Sequence, residues 1–322
     1  HDGFCLWPTR SPYKKNWNSM DIGPKRDLLG DLAESVRSRG LRMGLYYSII
    51  EWESIPTGRT STGWFLRKET IEKYRIPQDL YVKDHLLPQL RELVMRNRHD
   101  LIFADGGEWD FDEDFWETKE FLSWLYNEAP NREEVVVNDR WCKGMPGNHG
   151  DYYTSEYQDT DAVGKSHPWE ESRGIGGSYG FNRAENLADY RTSEELVLEL
   201  IDVVSRGGNF LLNVGPTADG RIPVIMQQRL EDIGGWLRVN GEAIYGSSAW
   251  KPPSDENADT EGIYFTRKGQ DLYMICRGWP RKPLEITGLP EGNLPEIHLL
   301  GIDRAVNCIR QGNKIVFEPP DI

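Results

Sequence analysis

LIFADGGEWD, residues 101–110, decides how the rest of the chain is read. Leu101 to Ala104 form an apolar run of the length a buried strand needs. It ends on a carboxylate, Asp105, followed by Gly106, Gly107, Glu108, Trp109 and Asp110. Two readings of Asp105 stand side by side. Acids often cap a following helix. In a (β/α)8 barrel, the carboxyl end of each parallel strand is instead the edge that carries catalytic groups. Glycines just after such an acid would let backbone and ligand approach closely.

The flanking sequence alternates helix-like and strand-like segments. Residues 27–39 set Leu28, Leu29, Leu32 and Val36 at helical spacing, and Gly40 supplies the stop. Residues 41–48 (LRMGLYYS) read as a buried strand, 84–97 as a helix, 101–105 as a strand and 115–127 as a helix. EVVVND (134–139) is a β-branched strand. Thr192 and Glu195 make a capping box for a helix over 193–205, followed by a strand at 209–216 and a helix at 224–239. Continuous apolar strands between amphipathic helices predict a parallel sheet covered by helices.

Near residue 250 the texture changes. WKPPSDENADTEG (250–262) reads as a linker, and short strand signals separated by turn residues follow it. The expected architecture is a (β/α)8-like barrel domain over 1–250 and a small antiparallel β-sandwich over 251–322. Four strands are clear and a weaker fifth lies near 174–181, whereas a barrel needs eight. The first barrel strands are therefore expected to lie outside this numbering, unless the fold is open.

Acids outnumber bases 52 to 38, a formal charge of −14, which argues against nucleic acid and against an anionic membrane surface as partners. Trp and Tyr are frequent, 12 and 14, and their flat faces suit sugar rings as well as protein cores. There is no CxxC or HxxxH, so no metal site is expected, and a Cys276–Cys308 disulfide is left open. GxSxG, Walker and dinucleotide-binding motifs are absent. The compartment stays open, with secreted, periplasmic or lysosomal locations favoured over cytoplasmic.

A neutral glycan calls for paired carboxyl groups, one a nucleophile and one an acid/base. Asp105 is the candidate nucleophile. In HPWEESRGIGGSYG (167–180), Glu170 and Glu171 are candidate acids, and Trp169 would give Glu170 an apolar contact. Glu156 and Asp151 in GDYYTSEYQ (150–158) are further candidates. His1, Trp7, Tyr46, Trp109 and Arg140 are candidate substrate contacts. Each also has a plain structural reading: core packing, an ion pair or a solvated loop.

HDGFCLWP, LIFADGGEWD, FLSWLYNEAP, EVVVNDRW, GDYYTSEY, PWEESRGIGGSYGFNR and GGNFLLNVGPTADGRIP resemble, in order, the blocks of α-L-fucosidases of glycoside hydrolase family 29. The resemblance implies a retaining exo-glycosidase that releases terminal α-L-fucose from a fucosylated glycan without a cofactor. It implies Asp105 as nucleophile, Glu170 as acid/base with Glu156 as the alternative, His1 at the fucose hydroxyls and Tyr46 as the pocket tyrosine. Trp7 and Arg140 lie in matching blocks. The family's first βα units precede HDGF, so this chain is expected to be part of a longer enzyme. A non-catalytic fucose-binding protein and a retaining glycosidase for a related sugar such as α-L-galactose are the alternatives. The sequence does not reveal linkage preference or oligomeric state.

Overall fold

The computed structural model describes residues 3–52, 54, 75–157, 167–251, 262–287 and 296–320. The chain divides into two compact units, His1–Thr154 and Ser155–Ile322.

In the first unit, three parallel strands form a sheet in the order β1 (Gly44–Ser48), β2 (Leu101–Asp105), β3 (Val136–Val137). Their register aligns Tyr46 with Phe103, Ser48 with Asp105 and Leu101 with Val136. On one face of β2, Ile102 and Ala104 are fully buried, while Phe103 and Asp105 take the other face. Helices α1 (Leu28–Arg37), α2 (Leu87–Asn97) and α3 (Thr118–Asn127) accompany the sheet. Leu29 and Ala33 of α1, Leu90 and Leu93 of α2, and Phe121 and Leu125 of α3 enter one apolar cluster with Ile102 and Trp141. Each such side chain contributes about 1.5–3 kcal/mol on burial.

β3 is shorter than the strand expected over 134–139. After Val137, the Asn138 side chain takes over the pairing: its amide donates to Ala104 O at 2.8 Å and accepts from Ala104 N–H at 2.9 Å. A side chain thus replaces the backbone ladder one residue before Asp105.

In the second unit, β5 (Trp169–Gly174) pairs in parallel with β6 (Gly208–Asn213), and Ser155 and Glu156 end strand β4 (Tyr153–Glu156). The strand expected near 174–181 is displaced to 169–174. Gly176 and Gly177 punctuate the later stretch, and the charged run WEESR hid the true strand from an apolar-run criterion. β4 has no apolar run and was not expected at all. Helix α4 (Ser193–Ser205) begins with the expected capping box, Thr192 accepting from Glu195 N–H and Glu195 from Thr192 N–H. Helix α5 (Val224–Asn240) follows.

Antiparallel pairing starts at β7 (Ser248–Ala249), which joins β8 (Ile263–Lys268) and β9 (Asp271–Cys276). β10 (Leu284–Thr287), β13 (Cys308–Gln311) and β14 (Lys314–Phe317) form a second antiparallel sheet, and β11 (His298–Leu299) pairs with β12 (Ile302–Ala305). Phe265, Ile286, Ile315 and Phe317 form their core. No disulfide joins Cys276 to Cys308 in this structure, so the pairing left open by the sequence is not made. The described strands show α/β architecture followed by antiparallel sheets; among them, no closed eight-stranded sheet is formed. No helix among the described residues is long and apolar enough to cross a membrane.

Candidate active site

The carboxyl end of β2 gathers charge. Asp105 Oδ2 accepts the Tyr46 hydroxyl at 2.7 Å, and Oδ1 accepts Arg140 Nη1–H at 3.1 Å. Strand register explains the first contact. Tyr46 and Phe103 are neighbours on one face, their rings stacked 6.0 Å apart, and Asp105 is the next residue on that face. The Arg140 guanidinium lies over the same Phe103 ring at 5.3 Å. Arg140 is buried, with 8% exposure, whereas Tyr46 is 53% exposed. The charge pair therefore sits at an edge reached by solvent through its tyrosine side.

Asp105 caps no helix here. The short helix after it, Glu113–Trp116, is capped by Asp112, whose side chain accepts from Asp114 N–H. The two glycines after Asp105 serve the protein's own packing. Gly106 has φ +81°, and a Cβ there would meet Ile50 at 2.8 Å; a Cβ on Gly107 would stand 2.4 Å from the Trp141 carbonyl oxygen. The Trp116 indole N–H donates to the Gly107 carbonyl at 2.9 Å. The turn that carries Asp105 is thus fixed from both sides.

Three residues of this region, Glu108, Asp139 and Thr154, were not among the candidate site residues, although Asp139 stands out in the sequence as a polar strand end. Glu108 has one carboxyl oxygen buried without a hydrogen-bond partner among the described residues. Burial, together with the nearby Asp105 charge, pushes its pKa up to about 7. Asp139, 1% exposed, accepts from Gly147 N–H and from Thr154, and Thr154 in turn contacts Arg140. Position is the signal the sequence offers for them: Glu108 follows β2, Asp139 follows β3, and Thr154 lies within β4.

Trp7 is buried in the first unit's apolar cluster with 8% exposure, and Trp109 packs against the same cluster. His1 lies outside the described residues. Asp151 accepts the Tyr126 hydroxyl at 2.6 Å and Val137 N–H at 2.8 Å.

In the second unit, Glu170 and Glu171 alternate across β5. Glu171 is 2% exposed and accepts from Ser155 Oγ–H and, at 3.0 Å, from Tyr157 N–H. Its pKa is raised by burial. It is occupied in holding β4 to β5. Glu170 takes the opposite face and is half-buried, as is Glu156 at the end of β4. Trp169 was expected to give Glu170 an apolar contact, but strand alternation sets it on the opposite face of β5. It shares the Glu171 face, packs on Gly208, where a Cβ would come within 2.4 Å, and lies under Arg206 at 5.8 Å.

The family model described as α-L-fucosidase matches residues 1–242. Human tissue α-L-fucosidase is 41% identical over 319 residues, covering 98% of this chain and 65% of that protein. An α-L-fucosidase of Branchiostoma floridae is 40% identical over 295 residues, 91% of this chain and 62% of that one. A crystal structure of Thermotoga maritima α-fucosidase in complex with a mechanism-based inhibitor superimposes with a TM-score of 0.76 at 37% identity, over 99% of this chain and 70% of that one. The chain spans 56% of the length of the Bos taurus tissue α-L-fucosidase it matches.

Proposed function

The chain belongs to the α-L-fucosidase family, and from that premise we propose that the protein of which it is part hydrolyses terminal α-L-fucosyl linkages of glycans with retention of configuration. The observation that carries this reading is the carboxylate at the end of β2, held between Tyr46 and Arg140 at a solvent-reached edge. Asp105 attacks the anomeric carbon of fucose from one face, while Glu170 protonates the departing glycosidic oxygen. Positive charge develops on the sugar ring beside the Asp105 carboxylate, which stabilises it. In the second half, Glu170 takes a proton from water, which displaces Asp105 and releases fucose; two inversions leave the configuration unchanged. Tyr46, Arg140, Trp109, Trp7 and His1 line or support the sugar subsite, and no cofactor enters.

Glu156 is the second candidate acid/base. It adjoins Ser155, whose hydroxyl is committed to Glu171, and strand alternation turns Glu156 to the other face of β4. The proposed architecture is a barrel over 1–250, completed by βα units that precede this numbering, and a β-sandwich over 251–322. A lysosomal or secreted location is supported by relatives named tissue and plasma α-L-fucosidases.

The test is Asp105→Ala in the full-length protein, assayed with an aryl α-L-fucoside. Turnover is expected to fall by about a thousandfold or more, with azide restoring part of it as β-fucosyl azide. Full activity in that variant would refute the nucleophile. Glu170→Ala and Glu156→Ala, compared on activated aryl fucosides and natural linkages, assign the acid. The true acid/base variant slows poor leaving groups most. An aryl α-L-galactoside assayed in parallel separates fucose from its closest stereochemical rival.

A further inference from the structure

We propose that Thr154 and Asp139 are positioning residues for the nucleophile, acting through Arg140; this rests on the reading of Asp105 given above. Asp139 is buried to 1% exposure. One of its oxygens accepts Gly147 N–H at 2.9 Å. The other accepts both Thr154 N–H at 3.1 Å and the Thr154 hydroxyl at 2.7 Å.

The direction of each bond follows from the groups present. An ionised carboxylate only accepts, so Thr154 must give its hydroxyl hydrogen to Asp139. The Thr154 oxygen is then left as an acceptor, 2.8 Å from Arg140 Nε, which only donates. Arg140 is therefore tied at Nε by Thr154, backed at its face by the Phe103 ring, and aimed through Nη1 at Asp105 Oδ1. A planar guanidinium fixed at one edge and one face has little freedom left, so the order of the chain is Asp139, Thr154, Arg140, Asp105. With Tyr46 holding Oδ2, the Asp105 carboxylate is steered at both oxygens.

Such a device acts on the reacting geometry more than on substrate affinity, because small misplacements of a reacting group are costly in rate. Thr154→Val keeps the side chain's shape and removes the hydroxyl. In full-length enzyme, it is expected to lower kcat about 10- to 50-fold with KM changed less than about threefold. Thr154→Ser, which restores the hydroxyl, is expected to recover most of kcat. Asp139→Asn gives a second reading should the valine variant fail to fold; it is expected to show the same kcat-weighted loss in its folded fraction. A Thr154→Val enzyme that melts earlier yet keeps wild-type kcat per folded molecule would overturn the positioning role. So would failure of serine to rescue. An inactive wild-type protein would overturn the fucosidase reading and this proposal with it. Loss of activity in Asp105→Ala with none in Thr154→Val would overturn this proposal alone.

Discussion

Two carboxylates of the first unit, Glu51 and Asp105, are each held by a cation and a second side-chain donor, in opposite surroundings. Glu51 meets Lys14 Nζ at 2.5 Å and His85 Nε2 at 2.8 Å, and His85 Nδ1 lies 2.8 Å from Ser11 Oγ. Lys14, Glu51 and His85 are all buried. Burial would push the Glu51 carboxyl up, but His85 and Lys14 outweigh it and hold it below its ordinary value. Burial lowers the His85 pKa. A neutral His85 then gives its Nε2 hydrogen to Glu51 and accepts the Ser11 hydroxyl at Nδ1. Among the described residues, Lys14 and His85 are paired through Glu51, and all three are almost wholly buried. Asp105 has the same kinds of partner, yet one of them, Tyr46, is 53% exposed. Pairing alone therefore does not mark a site. The open strand end is what sets Asp105 apart as the candidate.

The sharpest way to break this comparison is to neutralise each carboxylate in turn. Asp105→Ala is expected to cost about 4 kcal/mol or more in transition-state stabilisation, with a smaller loss of stability than Glu51→Gln, because the Asp105 edge is reached by solvent through Tyr46. Glu51→Gln leaves the Lys14 ammonium buried without its counter-charge. It is expected to cost about 3–5 kcal/mol of stability, with kcat per folded molecule close to wild type. If the two variants exchanged phenotypes, the assignment of roles would be reversed. The pH response sharpens the same point. Glu51, with its lowered pKa, and His85, buried neutral, both favour the folded state above the unfolded histidine pKa of about 6.5. The His85 contribution declines as pH falls below that value, the Glu51 contribution only below the ordinary carboxyl value of about 4.5, and Glu51→Gln is expected to flatten the lower part of the decline in urea titrations.

Tyr46→Phe removes one donor to Asp105 without altering packing on Phe103. A hydrogen bond to a charged group is worth about 1.5–3 kcal/mol, so kcat/KM is expected to fall about 10- to 100-fold. A change under twofold would mean the contact does not persist when substrate is bound.

The smallest expected effect lies at Glu108. Its folded pKa of about 7 stands above the ordinary carboxyl value. Below about pH 4.5 both folded and unfolded states are protonated and nothing is lost. As pH rises from there to 7, the unfolded state releases its proton first, and stability declines; above 7 the loss is complete. Glu108→Gln removes this dependence. The variant is expected to gain about 1–2 kcal/mol over wild type at pH 8 and nothing at pH 4.5, measured by urea unfolding at the two values.

How much of this was legible in the sequence depends on the signal each residue leaves. β2 was read to the residue because an apolar run bounded by polar groups has one interpretation. α4 was too, because Thr192 and Glu195 form a complete capping box. β4 and β5 were missed or displaced because Thr154, Ser155, Glu156, Glu170 and Glu171 give no apolar run; what makes them strands is pairing with β6 and with each other, a long-range fact. Asp105, Tyr46 and Arg140 were named separately, and the structure brings all three together. Their coupling was invisible because it depends on the register of β1 against β2 and on where Asn138 ends β3. Trp7 illustrates the opposite limit: it was named a candidate contact from its sequence block, and its side chain is buried among apolar neighbours. Gly106 and Gly107 were noticed for the wrong reason, since the close approach they permit is to Ile50 and Trp141.

The most direct test is covalent trapping. The full-length protein would be incubated with a 2-deoxy-2-fluoro-fucosyl fluoride, digested and sequenced by mass spectrometry. The account predicts one fluorofucosyl adduct, on the peptide containing LIFADGGEWD and localised to Asp105. An active enzyme that carries its adduct on another residue, or turns over without forming one, would contradict it.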